Sequence, residues 1–389
     1  MYPIRPNTKW LKPLVLVFVI FVCGVLYVCR NLLWEQRFEI TDELGGNIFP
    51  SAILATAATN AEIMSPADSN YVGKPLSGIA LRVKSPHSNS RVRVTLKESP
   101  FFAESISEFM LEKSGVEYTI YPEIVWDYEA LKNNVQSTPM TFSVTMEING
   151  KKLPVETKTL SVRSINECLL GYLDSKNKFH DTGVFFAAYV NEENPKIDQL
   201  LREALNTRIV KRFLGYQASA EQVDKQVYAL WHVLQKRNFK YSSISNSSLS
   251  SNVVFAQRVR TFDDALEAAQ INCVDGSVLF ASLLKAININ PILVRLPGHM
   301  FVGYYTDKSH KDMNFLETTM IGDVDLEDFF PDEKLDSTMV GKSQEEMSRL
   351  TFDRSKQYAT NKYRENEENL RLKEPNYMFL EISTYLYKM

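Results

Sequence analysis

The sequence predicts an α+β chain in three parts: an N-terminal membrane-spanning helix, a β-sandwich, and a mixed domain of helices and strands that ends in a charged extension. Three patterns predict it. Residues 13–29 are uncharged and apolar, residues 71–163 alternate apolar and polar side chains with period two, and from Asn194 onward capped helical segments alternate with strand-like runs. The expected divisions are a tail at 1–12, an anchor at 13–34, a linker at 35–70, a sandwich at 71–165, a second domain at 184–330 and the extension at 331–389.

The anchor is argued from length. As a helix, residues 13–29 rise roughly 26 Å, and Leu32, Leu33 and Trp34 extend them toward the roughly 30 Å of a hydrocarbon core. Trp10 and Trp34 would lie near the two interfaces. No small-x-small cleavage site follows the run, which argues against a removed signal peptide. Arg5, Lys9 and Lys12 precede it, whereas Arg30 and Arg37 are mixed with Glu35 and Glu39 behind it, so the basic excess puts the N-terminus in the cytoplasm and the body outside.

In the sandwich, Ile79, Leu81 and Val83 alternate with small or polar neighbours. So do Val92, Val94 and Leu96, and then Phe142, Val144, Met146 and Ile148. Asn149-Gly150 is a strong hairpin signal, Leu153 and Val155 continue the alternation, and Pro154 suits an edge. Short strands at turn spacing suit an immunoglobulin-like sandwich. The polar stretch 164–183 reads as the domain junction.

Two helices follow. Asn194-Pro195 supplies an N-cap and first-turn proline ahead of Ile197, Leu200 and Leu201, and Ser219 with Gln222 caps a run through Val223, Val227, Leu230 and Trp231. His232 on that run reads as a satisfied histidine outside any site. Ser343 with Glu346 opens a long charged helix with the sparse apolar stripe Met347, Leu350 and Tyr358, a solvated arm packed on one side or used by a protein partner. The aromatic segment from Tyr377 adds a strand or docks on the surface.

Composition narrows the function classes. With 44% hydrophobic and 23% charged residues the chain is globular, and a net charge of -3 gives no argument for nucleic acid. There is no glycine-rich phosphate loop and no Cys/His pair at zinc spacing, so neither cofactor nor metal is expected. Beyond the anchor the cysteines are Cys168 and Cys273, too few for a disulfide framework.

The segment that speaks of chemistry starts at Cys273. It heads an apolar helical run through Ile287 with Asn272 as N-cap, and helix-start amides favour a thiolate. His299 opens the strand-like run Met300-Phe-Val-Gly-Tyr-Tyr305, and Glu317 follows on the next short run. Adjacent antiparallel strands would let the acid bond one nitrogen of the imidazole, fixing its tautomer. Asp275 either opposes the thiolate or bonds first-turn amides. The backbone N–H of Cys273 is the natural first oxyanion donor, and Gln257 or Gln270 is a candidate for the second.

Four segments carry a family resemblance: Gln270-Ile-Asn-Cys-Val-Asp-Gly-Ser277, Leu283-Leu-Lys-Ala-Ile-Asn-Ile-Asn-Pro-Ile-Leu-Val294, Pro297-Gly-His-Met-Phe-Val-Gly303 and Leu316-Glu-Thr-Thr319. They resemble the transglutaminase-like superfamily, and within it the bacterial transglutaminase-like cysteine peptidases. The likeness covers about residues 198–323. It implies a papain-type core with Cys273, His299 and Glu317 as nucleophile, base and orienting acid. At Glu317 many members carry aspartate in an Asp-Pro-Thr context. With the anchor, the expectation is a single-pass inner-membrane protein with a periplasmic body, touching the bilayer through its N-terminal helix. It would hydrolyse or transamidate amide bonds of envelope proteins or peptides, or, if silent, bind them.

Overall fold

The computed structural model describes residues 22, 36–58, 69–75, 78–174, 176–217, 219–243, 249–322, 324–333 and 341–382. Two larger sheets form between residues 38 and 162, beside the short pair Phe102–Ala103 and Val125–Trp126. One has the order Phe38–Asp42, Ile79–Lys84, Glu117–Tyr121, Tyr71–Gly73. The other runs Asn47–Ile48, Glu156–Val162, Thr138–Ile148, Ser90–Leu96, Ser105–Leu111. Period-two alternation turns one face of each strand inward: Ile79, Leu81, Val83 and Ile120 from the first sheet join Val92, Val94, Phe142 and Val144 of the second in one core. Asn149 and Gly150 both hold positive φ, 51° and 83°, the conformation a two-residue hairpin turn needs between Ile148 and Lys151. Val155 departs from the expected alternation. It is exposed, because Leu153-Pro154-Val155 breaks the return strand into Lys151–Lys152 and Glu156–Val162.

Two stretches expected as connectors are structured. The supposed linker holds Phe38–Asp42, paired with Ile79–Lys84, and helix α1 (Pro50–Ala58), with Phe38, Ile40 and Phe49 buried. The supposed junction holds the strand Glu167–Leu173, which pairs with Phe179–Asp181 and Val254–Arg258. Its polar composition misleads because Arg163 and Glu167 form a buried ion pair, Nε to Oε2 at 2.8 Å, beside buried Cys168 and Leu169.

After the short helix α2 (Tyr128–Lys132) come α3 (Pro195–Asn206), α4 (Ala220–Lys236), α5 (Phe262–Ala268), α6 (Cys273–Ala286) and α7 (Gln344–Leu372). Antiparallel strands Met313–Leu316, His299–Tyr305, Pro291–Leu296 and Met378–Glu381 lie side by side in that order. Successive residues face opposite sides. Leu293, Val302, Tyr304 and Leu316 belong to the core that holds α6, while Ile292, Val294, Phe301 and Phe315 pack with Ala359 of α7. Helix α6 is buried from Val274 to Leu284, as its all-round apolar sequence requires. Helix α7 presents Ser348, Thr351, Phe352, Ser355 and Ala359 inward. Those small and polar residues repeat at helical spacing, so the buried face is real although hydropathy barely registers it. Trp231 of α4 donates to Thr351 across it at 3.2 Å.

The expected fold class and location need correction. The described fold is a mixed α/β chain of many sheets, and among the described residues no helix is long and apolar enough to cross a membrane. The apolar helix α6 has 14 residues, about 21 Å of rise, and the 29-residue α7 is densely charged. The expected anchor at 13–34 lies outside the described residues apart from Val22. The single-pass inner-membrane placement, the periplasmic body, the bilayer contact and the restriction to envelope substrates are withdrawn with it.

Candidate functional site

The site is built where the start of α6 meets the turn of the hairpin 291–305. Asn272 caps α6 by accepting from the amides of Val274 at 2.9 Å and Asp275 at 2.8 Å, and Asp275 returns a bond to the Asn272 amide at 3.1 Å. This capping box satisfies first-turn donors that no helical carbonyl can reach. It also settles the two sequence alternatives for Asp275 in favour of the amides. The same carboxylate, fully enclosed, accepts from the Arg260 amide at 2.8 Å and pairs with its guanidinium at 2.6 Å. Burial pushes the Asp275 carboxyl up, against the Arg260 and Asn272 donors that favour its anion. The start of α6 is thereby pinned, and Cys273 is its half-buried first residue.

His299 follows the Pro297-Gly298 turn, in which Gly298 takes φ +73°, the left-handed conformation a type II turn demands at that position. Its strand pairs with Met313–Leu316, with Val302 opposite Leu316. One step further along that register Glu317 falls opposite Phe301, two residues from His299 on the same strand, and its side chain reaches the histidine diagonally. His299 Nε2 lies 2.5 Å from Glu317 Oε2, and Oε1 accepts from the Thr319 amide at 3.1 Å and its hydroxyl at 2.6 Å. Ser355 of α7 bonds the Glu317 carbonyl at 3.1 Å. The carboxylate is buried and held from three sides, so it can orient the ring without turning to water. With Nε2 engaged there, Nδ1 is left for the thiol. Burial works against the imidazolium, but hydrogen bonding and charge from Cys273 and Glu317 outweigh it and hold His299 up to about 10.

Cys273 and His299 open into one cavity of about 240 Å³, walled by Leu170, Phe186, Tyr241 and Met300. The remaining expected support residues separate here. Asn272 lines the cavity, and its Nδ2 is buried without a partner. The amide cannot flip, because its oxygen serves two helix N–H groups. Nδ2 is therefore a fixed and unused donor beside the nucleophile. Gln257 reaches the wall, its Nε2 bonded to the Arg258 carbonyl at 3.2 Å. Gln270 is exposed and outside the cavity lining.

Sequence reading missed several contributors. Gly276 permits close packing: a Cβ there would sit 2.6 Å from Thr318 Oγ1, so glycine brings the turn after Glu317 against α6. Arg295 lines the cavity from an otherwise apolar strand, and that lone charge was the available signal. Tyr241 stands at the rim, its phenol pushed up by burial and by the charges of Cys273 and Glu317. His232 is buried on α4 and takes no part in the cavity. Among the described residues no cluster could hold a metal ion. A larger cavity of about 760 Å³ lies beyond the Arg295–Asp181 pair, between Tyr305, Tyr363 and Met378, and holds no cysteine.

No family model matches the chain, and no curated protein matches it.

Proposed function

We propose that the chain is a transglutaminase-like cysteine hydrolase or transamidase acting on amide bonds of proteins or peptides. The observation that carries the reading is the meeting of a helix-start thiol with an imidazole that a buried carboxylate holds at 2.5 Å, in a cavity open to a substrate. Cys273 passes its proton to His299, and the sulfur attacks the carbonyl carbon. The oxyanion that forms is met by the Cys273 backbone N–H and Asn272 Nδ2, donors already in place before reaction. Collapse breaks the C–N bond as His299 returns the proton to the departing amine, leaving a thioester. Water attacking the thioester gives a carboxylate; an amine gives a new amide. Glu317 keeps the ring in one tautomer and stabilises the imidazolium.

The test is to incubate the full chain with a mixed peptide library and trap Cys273 acyl adducts by mass spectrometry, with hydroxylamine releasing them. Acyl mass on Cys273, absent in Cys273→Ala, is the expected result. Tight peptide binding with no adduct and no turnover in the unaltered chain would refute catalysis and leave a silent peptide-binding module.

A further inference from the structure

The wall of the cavity carries two basic side chains beside the thiol. Arg295 and His299 line it, and among its described lining residues there is no Asp or Glu. Arg295 is 7% exposed and lies within the fully buried strand Pro291–Leu296. Its register places it across from Met300, one step from the Leu296–His299 pair that closes the hairpin, so the guanidinium belongs to the site end of the sheet.

A buried guanidinium is ordinarily satisfied through several N–H groups. This one is not. Nη2 pairs with Asp181, while Nε is buried with no partner. Asp181 is itself shared and wet: its carboxylate caps the Gly183 amide at 2.8 Å, and its side chain is 32% exposed. A guanidinium serves planar anions with its whole edge. One Arg295 edge nitrogen is thus unused, enclosed just behind the wall of a cavity that lacks its own carboxylate. At about 240 Å³ the space is below the roughly 300–1,000 Å³ of drug-sized sites and suits one side chain with its neighbouring amide.

Resting on the cysteine-nucleophile reading, we propose that Arg295 is a specificity residue that selects peptides bearing a carboxylate next to the reacting amide. The acid pairs with the unused edge of Arg295 while the adjacent carbonyl lies at Cys273. Asp181 keeps the guanidinium in place and competes mildly with the incoming anion.

Two measurements on the full chain test this. In the first, the rates at which iodoacetate and iodoacetamide alkylate Cys273 are compared by mass spectrometry, with glutathione as reference. The expected iodoacetate-to-iodoacetamide ratio exceeds that of glutathione by about tenfold. Arg295→Gln lowers the ratio by a similar factor, and Asp181→Asn raises it. An unchanged ratio in both variants would overturn the proposal. The second arm needs no reactive thiol. Calorimetry on Cys273→Ser compares N-acetylglutamate α-amide, N-acetylglutamine and N-acetylglutamine α-amide, which carry a side-chain carboxylate, a terminal carboxylate and none. Preference for either acid, lost in Arg295→Gln, supports the site and says which carboxylate it takes. Equal affinity for all three, or binding of none, contradicts it. Slow iodoacetamide alkylation with acid-selective binding would refute the nucleophile and retain Arg295 as a carboxylate site.

Discussion

Cys168 and Cys273 are both free thiols of one domain, yet only one is placed for chemistry. Cys168 lies within a strand, opposite Gln257, whose own side chain reaches the wall of the Cys273 cavity. It is fully buried, and its sulfur faces the Leu169 carbonyl at 3.7 Å. Burial pushes that thiol up, with Arg295 and Ser51 pulling only weakly the other way. Cys273 has the opposite setting: the first position of a capped helix, an imidazole beside it, and an opening to solvent. Reactivity here is a property of position, and neighbouring cysteines in one core can differ entirely.

The contrast can be broken in steps. Cys273→Ala should abolish rapid labelling by iodoacetamide under native conditions, leaving Cys168 unlabelled in intact-mass spectra until the chain unfolds. His299→Ala should slow labelling of Cys273 near neutral pH by about a hundredfold. It should also change stability against pH. With the histidine held up to about 10 in the fold against 6.5 ordinarily, its contribution is full below about pH 6.5 and is lost as the pH rises toward 10. Denaturant midpoints of the unaltered chain should fall across that window, and the variant should lack the component. Glu317→Gln should slow labelling roughly tenfold, because an amide group would meet the Thr319 donors or the ring with the wrong polarity. Cys168→Ala should leave the labelling rate unchanged and lower unfolding free energy by about 1 kcal/mol, the effect of a small deletion in a closed core.

Where local chemistry decides the structure, the sequence announces it. The Asn272 cap, the Pro297-Gly298 turn, the Asn149-Gly150 hairpin and the alternation from Ile79 to Leu96 are written in adjacent residues. The order of Cys273, His299 and Glu317 was legible for the same reason, since a helix start and two neighbouring strands bring them together through short connections. Contacts between distant segments were not. Arg295 meets Asp181 across 114 residues, and Arg260 reaches the start of α6 from the loop before α5. The unpartnered Asn272 nitrogen emerges only after the oxygen of the same amide has been committed to the cap. Polarity misled twice. Ser348, Thr351 and Ser355 form a buried helix face that no hydropathy scale favours, and Glu167 of the 164–183 stretch is hidden in a buried pair with Arg163 just before it. Residues 13–34, where composition alone argued for a membrane span, lie outside the described residues apart from Val22.

The central claim is that His299 activates Cys273, and the pH–rate profile of Cys273 alkylation in the full chain, beside His299→Ala, tests it most directly. The account predicts labelling that is fast near neutral pH in the unaltered chain and falls to the rate of an ordinary thiol in the variant. Profiles that coincide with each other and with a cysteine in the unfolded chain would contradict it.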